Sequence, residues 1–191
     1  MIGDIAISGG FATLKDGRWL MGRGQPAAYS GTLCSCRRRG FLMADREILT
    51  CVELAGAAHC SDAAHPFLTC IDCPERLSVV SAKILAAPEA ARTGSRFVRV
   101  IPLSFRAAIA VTEFSNPGWA IAATASRTER IVLKKGEELS ARPSALVAWT
   151  TERPAGHCPR ISARDVFFPR RRAPQVWLRF SGPGVVWLEG S

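Results

Sequence analysis

The residues of this chain best suited to chemistry are its cysteines, its three histidines and two runs of arginine. Cysteine occurs seven times, at Cys34, Cys36, Cys51, Cys60, Cys70, Cys73 and Cys158. Cys70-Ile71-Asp72-Cys73 has the C-x-x-C spacing of a zinc knuckle, and Cys34, Cys36, Cys60, His59 and His65 are the residues that would complete its ligands. No second C-x-x-C follows, so Cys70 and Cys73 are weak metal candidates and ordinary thiols are the expectation. A redox dithiol there would need a helix N-terminus after a strand, which Pro74 and the strand-like sequence behind it oppose. The odd cysteine count, without regular spacing, points to a reducing compartment rather than a disulfide framework.

No catalytic constellation emerges. His157 beside Cys158 is the one Cys/His adjacency, and neighbouring residues of a strand point to opposite faces, which separates a nucleophile from its base. There is no Walker motif, and Gly22-Arg23-Gly24 lacks the third glycine and the helix of a dinucleotide loop. A protein without catalysis and without a cofactor is expected.

The charge carries more information. Lys plus Arg number 25 against 16 Asp plus Glu, a net charge of +9 with a pI near 9.8, and all but four of the basic residues are Arg. Arginine binds phosphate and carboxylate in a bidentate fork and stacks on bases, so this surplus favours an acidic partner. Arg37-Arg38-Arg39 and Arg170-Arg171-Arg172 are the candidate anion or nucleic-acid sites, with Arg96, Arg99 and Arg106 extending them. Three consecutive arginines cannot all be buried, so each run must meet solvent, an RNA backbone or an anionic membrane surface.

The elements that must position these groups read as strands. Segments 4–8, 11–14, 19–22, 41–44, 48–54, 67–71, 77–85, 97–105, 107–113, 119–125, 130–133, 138–141, 145–149, 166–168, 175–180 and 185–188 are short and rich in Val, Ile, Phe and Trp, with turn residues between them. Brief helices are expected only around 86–92 and 55–64. Several strands are apolar on both faces, which suits a β-sandwich or a double-stranded β-helix. At an offset of 62, residues 71–87 echo 133–149: an apolar start, a turn former, Glu, Leu-Ser, then apolar residues before Ala. Two copies of a strand-turn-strand unit are expected within one all-β domain over 1–191, in approximate halves 1–95 and 96–191. With 48% apolar residues the chain can build a sizeable core, and no apolar run approaches the roughly 20 residues that span a bilayer. Its first residues lack a signal or transit pattern, so any organelle address is expected to be removed, internal or absent.

Ile131-Val132-Leu133-Lys134-Lys135-Gly136-Glu137, Leu146-Val147-Ala148-Trp149 and Phe180-Ser181-Gly182-Pro183-Gly184-Val185-Val186-Trp187-Leu188 together resemble the altered inheritance of mitochondria protein 24 family. The likeness covers about 118–190; upstream, Pro74-Glu75 stands where a first Gly-Glu would be. It implies a double-stranded β-helix akin to the tryptophan RNA-binding attenuation protein-like fold, a mitochondrial or bacterial setting, and a non-catalytic scaffold in a membrane-associated complex. A structural RNA-binding role in a ribonucleoprotein such as the mitochondrial ribosome is the alternative. Within the matched motifs, Gly136 supplies a turn conformation, Glu137 and Glu138 are expected in solvent, and Gly182-Pro183-Gly184 is expected to close a final hairpin. Trp149, Trp177 and Trp187 are expected to pack rather than stack on bases.

Overall fold

Extended strand builds nearly every described part of this chain, alternating in burial in strands such as Phe11–Leu14 and buried on both faces in Ile84–Pro88 and Leu146–Trp149. In the computed structural model, residues 5–8, 10–22, 25–36, 49–73, 75–99, 108–115, 118–152, 154–157 and 177–190 are described. Their strands in chain order are β1 (Ile5–Ser8), β2 (Phe11–Leu14), β3 (Gly17–Gly22), β4 (Ala28–Ser35), β5 (Leu49–Cys60) and β6 (Phe67–Cys73). They continue as β7 (Arg76–Val80), β8 (Ile84–Pro88), β9 (Arg92–Arg99), β10 (Ala108–Ser115), β11 (Gly118–Thr124) and β12 (Thr128–Leu133). The last are β13 (Glu138–Ala141), β14 (Leu146–Trp149), β15 (Ala155–His157), β16 (Trp177–Ser181) and β17 (Gly184–Glu189).

Three antiparallel sheets result. The first joins β1, β2, β5, β3, β8, β11 and β6, with β4 on the far side of β5. Leu14 pairs with Ala58 and Gly17 with Leu54, so β2 and β3 run as one bent strand along one side of β5. This sheet curls into a nearly closed barrel. Inside it lie Leu14, Trp19, Met21, Val52, Leu54, Ala58, Cys60, Leu85, Ala86 and Ile121, with Trp19 edge-on to Trp119 at 5.7 Å between ring centres. Alternate residues of the same strands, among them Leu20, Cys51, Ala120 and Ala122, point outward and pack on the second sheet.

That second sheet, β12-β17-β14-β7-β10-β9, lies between the barrel and the third, β13-β16-β15. Leu77, Val79, Phe114, Val147, Ala148 and Trp187 face the barrel. Val80, Val98, Val111, Leu146, Trp149 and Val186 face the third sheet, where Leu178 and Phe180 meet them. Burial on both sides explains why β14 is apolar at all four positions, and a bulge between Leu146 and Ala148 puts Val147 and Ala148 on the same side.

The repeat at offset 62 is a physical corner. β7 passes through a single 3-10 turn, Ser81–Lys83, into β8, and β13 passes through Pro143–Ala145 into β14. A third corner, Glu89–Ala91, joins β8 to β9. At each corner the flanking residues are extended, and the first residue after the turn returns its N–H to the turn's first carbonyl. Each corner carries the chain from one sheet into the next. The echo in sequence is thus the shared residue pattern of strands that change layer.

Two expectations need correction. Residues 55–60 continue β5 as strand, because β4 pairs along them, and 86–92 hold strand ends around the Glu89–Ala91 turn, where Pro88 cannot sit in a helix interior. Gly182-Pro183-Gly184 does not close a hairpin: β16 belongs to the third sheet and β17 to the second, so the chain crosses between layers there. Glu137 is exposed, as expected, and its groups also hold the turn. Its carboxylate accepts the Lys134 N–H at 2.7 Å, its own N–H returns to the Lys134 carbonyl at 3.0 Å, and its carbonyl accepts the Gly182 N–H at 2.9 Å. Gly136 takes φ +86 in this turn, and a Cβ at Gly182 would strike the Lys134 carbonyl. The two matched motifs form one knot. The Glu138 carboxylate stands 3.8 Å from the Arg179 guanidinium on the neighbouring strand, an exposed pair of little energetic weight.

Candidate interaction edge

An antiparallel sheet that does not close leaves strands with one row of unpaired N–H and C=O groups, and proteins guard such rows with charge, brevity or covering loops. Most edges here are guarded in that way. β9 carries Arg92, Arg96 and Arg99, β12 carries Glu129 and Arg130, β13 carries Glu138 and β6 carries Asp72. β1 and β15 are only four and three residues long.

β4 is the exception. Ala28-Tyr29-Ser30-Gly31-Thr32-Leu33-Cys34-Ser35 has eight residues and no charge, and among the described residues it pairs only with β5. All but the half-buried Leu33 are exposed. Tyr29 lies opposite Ala58 and Leu33 opposite Leu54, so both share the barrel-interior side of the ribbon. Leu33 packs on the core, while Tyr29 stands 54% exposed at its margin. Gly31 and Gly56 face each other with φ +92 and +129, and a Cβ on either would collide with the opposite backbone, at the Ala55 or the Ser30 carbonyl. The Gly56 N–H goes instead to the Asp16 carboxylate at the β2–β3 bend. The glycine pair lets β4 lie close on β5 while keeping its outer row open.

An open groove of about 560 Å³ lies where the second and third sheets meet, lined by Ser140, Arg142, Ser144, Trp177, Leu188 and Glu189. The Arg142 guanidinium sits 5.4 Å from the centre of the Trp177 ring. Trp149 and Trp187 are core residues, with Trp149 edge-on to Phe180 at 5.7 Å.

Of the candidates named from the sequence, those among the described residues do not converge on one site. Arg37, Arg38, Arg39, Arg170, Arg171, Arg172, Arg106 and Cys158 lie outside the described residues. Arg96 meets Glu113 at 2.9 Å, and Arg76 meets the same carboxylate at 2.7 Å, so one carboxylate offsets part of the charge of two guanidiniums. Cys70 and Cys73 both lie on β6, extended backbone rather than the tight turn of a zinc knuckle. His59 has Thr13 at 3.1 Å and His65 has Asp62 at 2.9 Å, each pair on its own part of the barrel. Among the described residues no three of His, Cys, Asp and Glu converge on one point, and no helix is long and apolar enough to cross a membrane.

The β4 edge had no signal in the sequence of the kind that marked the other strands. A strand exposed on both faces shows no alternation, and its register comes from β5 alone.

No family model matches the chain, and no curated protein does. Among solved structures, the crystal structure of a Streptococcus pyogenes protein, determined as a structural genomics target, superposes with a TM-score of 0.71. The two share 12% identity over 98% of this chain and 92% of that one. At that identity the likeness is one of fold: this all-β arrangement of layered sheets exists in a bacterial protein as well.

Proposed function

We propose that this protein is a non-catalytic β-scaffold that assembles with other protein chains by strand addition at β4, its basic loops favouring an acidic partner. The observation that carries this is the eight-residue uncharged edge, set among edges that are short or charged. Strand addition draws affinity from main-chain hydrogen bonds and specificity from alternate side chains, here Tyr29 and Leu33 on one side of the ribbon. A mitochondrial or bacterial membrane-associated complex is the setting that the resemblance to the altered inheritance of mitochondria family supports.

Sedimentation velocity over a concentration series tests the edge, with a second copy as the partner supplied. Wild type is expected to self-associate, and Ser30→Lys/Thr32→Lys to sediment as a monomer with an unchanged circular dichroism spectrum. A monomeric wild type throughout, or an equally associated variant, removes β4 as the assembly edge.

The arginine surplus favours a second role, as a structural constituent of a ribonucleoprotein. Replacing Arg170, Arg171 and Arg172 by Ala should then flatten the salt dependence of RNA binding by up to about three phosphate contacts. An unchanged slope removes that site.

A further inference from the structure

The β4–β5 register pairs Cys34 with Glu53 and Ser35 with Val52, so one further step sets Cys36 opposite Cys51. The hydrogen bonding agrees: the Cys36 N–H donates to the Cys51 carbonyl at 2.8 Å. Directly opposed residues of an antiparallel pair project to the same side, and hydrogen-bonded partners have Cα atoms about 5.5 Å apart. That separation lies within the range disulfides span, roughly 4.4–6.8 Å. Both side chains do meet one environment, since Cys51 belongs to the core between the barrel and the second sheet and Cys36 packs against that cluster. Cys51 is buried, while Cys36 is half-buried at the surface end of the pair. The Cys36 Sγ stands 3.9 Å from the Glu53 carboxylate, and Glu53 holds Arg18 at 3.4 Å. A proton acceptor and a guanidinium therefore flank the accessible sulfur.

We infer that Cys36 and Cys51 form a cross-strand dithiol that closes to a disulfide under thiol oxidation and staples the end of β4 to β5. With glutathione disulfide as oxidant, the Cys36 thiolate attacks one glutathione sulfur, forming a mixed disulfide and expelling one glutathione thiolate. The Cys51 thiolate then attacks the Cys36 sulfur, forming the protein disulfide and expelling the second. Two protein thiols are oxidised and one glutathione disulfide is reduced to two glutathione molecules, with both protons passing to solvent or to the expelled thiolates. The bridge encloses residues 37–50, a stretch that includes the first arginine run. The thiol chemistry stands independently of what the β4 edge binds.

The test is to equilibrate the full chain in a series of reduced and oxidised glutathione mixtures, alkylate the remaining thiols, and map the products by mass spectrometry after trypsin digestion. The expected product has lost two hydrogen atoms and yields a linked peptide pair containing Cys36 and Cys51. Cys36→Ser and Cys51→Ala should each abolish the link, while Cys34→Ser should leave it. The oxidised wild type should also melt at a higher temperature than the reduced protein, a shift missing in the Cys36→Ser/Cys51→Ala double variant. A bridge that uses Cys34, a reaction that stops at the glutathione adduct on Cys36, or a wild type that stays fully reduced in oxidised glutathione would each overturn the proposal. Because tryptic peptide 24–37 holds both Cys34 and Cys36 and peptide 47–76 holds four cysteines, tandem fragmentation of the wild-type linked pair assigns the bridged sulfurs, which keeps the test decisive even if a variant folds poorly.

Discussion

Lys83 and Glu189 are far apart in sequence, and together they fasten the end of the last strand to the first corner. Glu189 on β17 pairs with Lys83 of the Ser81–Lys83 turn, and it also accepts the backbone N–H groups of Ala125 and Ser126. The two side chains are 12% and 17% exposed. Removing the carboxylate leaves a largely buried ammonium without its partner and frees two amides, which places Glu189→Ala near 3–4 kcal/mol of lost stability. Lys83→Ala leaves the carboxylate held by both amides and should cost about 1.5–2.5 kcal/mol. The double variant should fall short of the sum by roughly 1–2 kcal/mol, the signature of a direct interaction.

The same cluster predicts an acid limb. Burial opposes ionisation of Glu189, but the Lys83 hydrogen bond, the Ala125 amide, the Lys83 charge and the Ser126 amide outweigh it, and the carboxyl titrates below its ordinary value. Its stabilisation is therefore complete above the pKa of an unfolded glutamate, about 4.3, and is lost as the pH falls through the lower folded value. Urea unfolding followed by tryptophan fluorescence at several pH values measures both effects, and Glu189→Gln should flatten the acid limb. Additivity of the single variants within about 0.5 kcal/mol would refute the pairing. An acid limb unchanged in Glu189→Gln would refute the linkage.

Further outcomes follow from the knot and the core. Gly182→Ala drives a Cβ into the Lys134 carbonyl and should prevent the layer crossing, read as loss of the cooperative melt; Gly136→Ala meets nothing among the described residues within 4 Å and should cost only the φ +86 strain, about 1 kcal/mol. Glu137→Gln should keep most of the cap on Lys134, whereas Glu137→Ala should lose about 1 kcal/mol, both measured by urea unfolding. Trp149→Phe removes a buried indole N–H that has no acceptor among the described residues and should cost far less than Trp149→Ala, for which about 3–5 kcal/mol is expected. Cys60 is buried inside the barrel, which pushes its thiol up to about 11, so it should resist alkylation at pH 8 until the protein unfolds. Since the unfolded thiol ionises first, Cys60 also withdraws stability as the pH rises from about 8.5 toward 11. Alkylation of Cys60 in the folded protein as fast as in urea would contradict its burial.

The strands readable from the sequence are those with a buried face. Trp19-Leu20-Met21 and Leu77-Ser78-Val79-Val80 announce themselves because alternate residues enter different cores. The offset repeat was readable for the same reason, since strands that bend across layers carry the same residue types at the bend. The partition into sheets was not readable. Nothing local to Phe180 or Val185 tells that β16 and β17 part company, because that depends on which distant strands offer them an edge. The β4 edge was hidden for the opposite reason: it buries little, so composition has no pattern to impose. The pairing of Cys36 with Cys51 likewise follows only from the β4–β5 register.

The corners constrain how this chain can change in length. A residue inserted at Ser81–Lys83, Glu89–Ala91 or Pro143–Ala145 would shift the inward and outward alternation of the following strand by one position, turning apolar faces toward the wrong layer. Because each corner joins two sheets, one such slip would misalign both. The segment between β5 and β6, where Asp62 organises a surface turn through Ala64 and His65, has no such coupling. Insertions and deletions should therefore be tolerated there and excluded from the three corners, so that length variation among chains of this architecture collects in the loops and leaves the bends fixed.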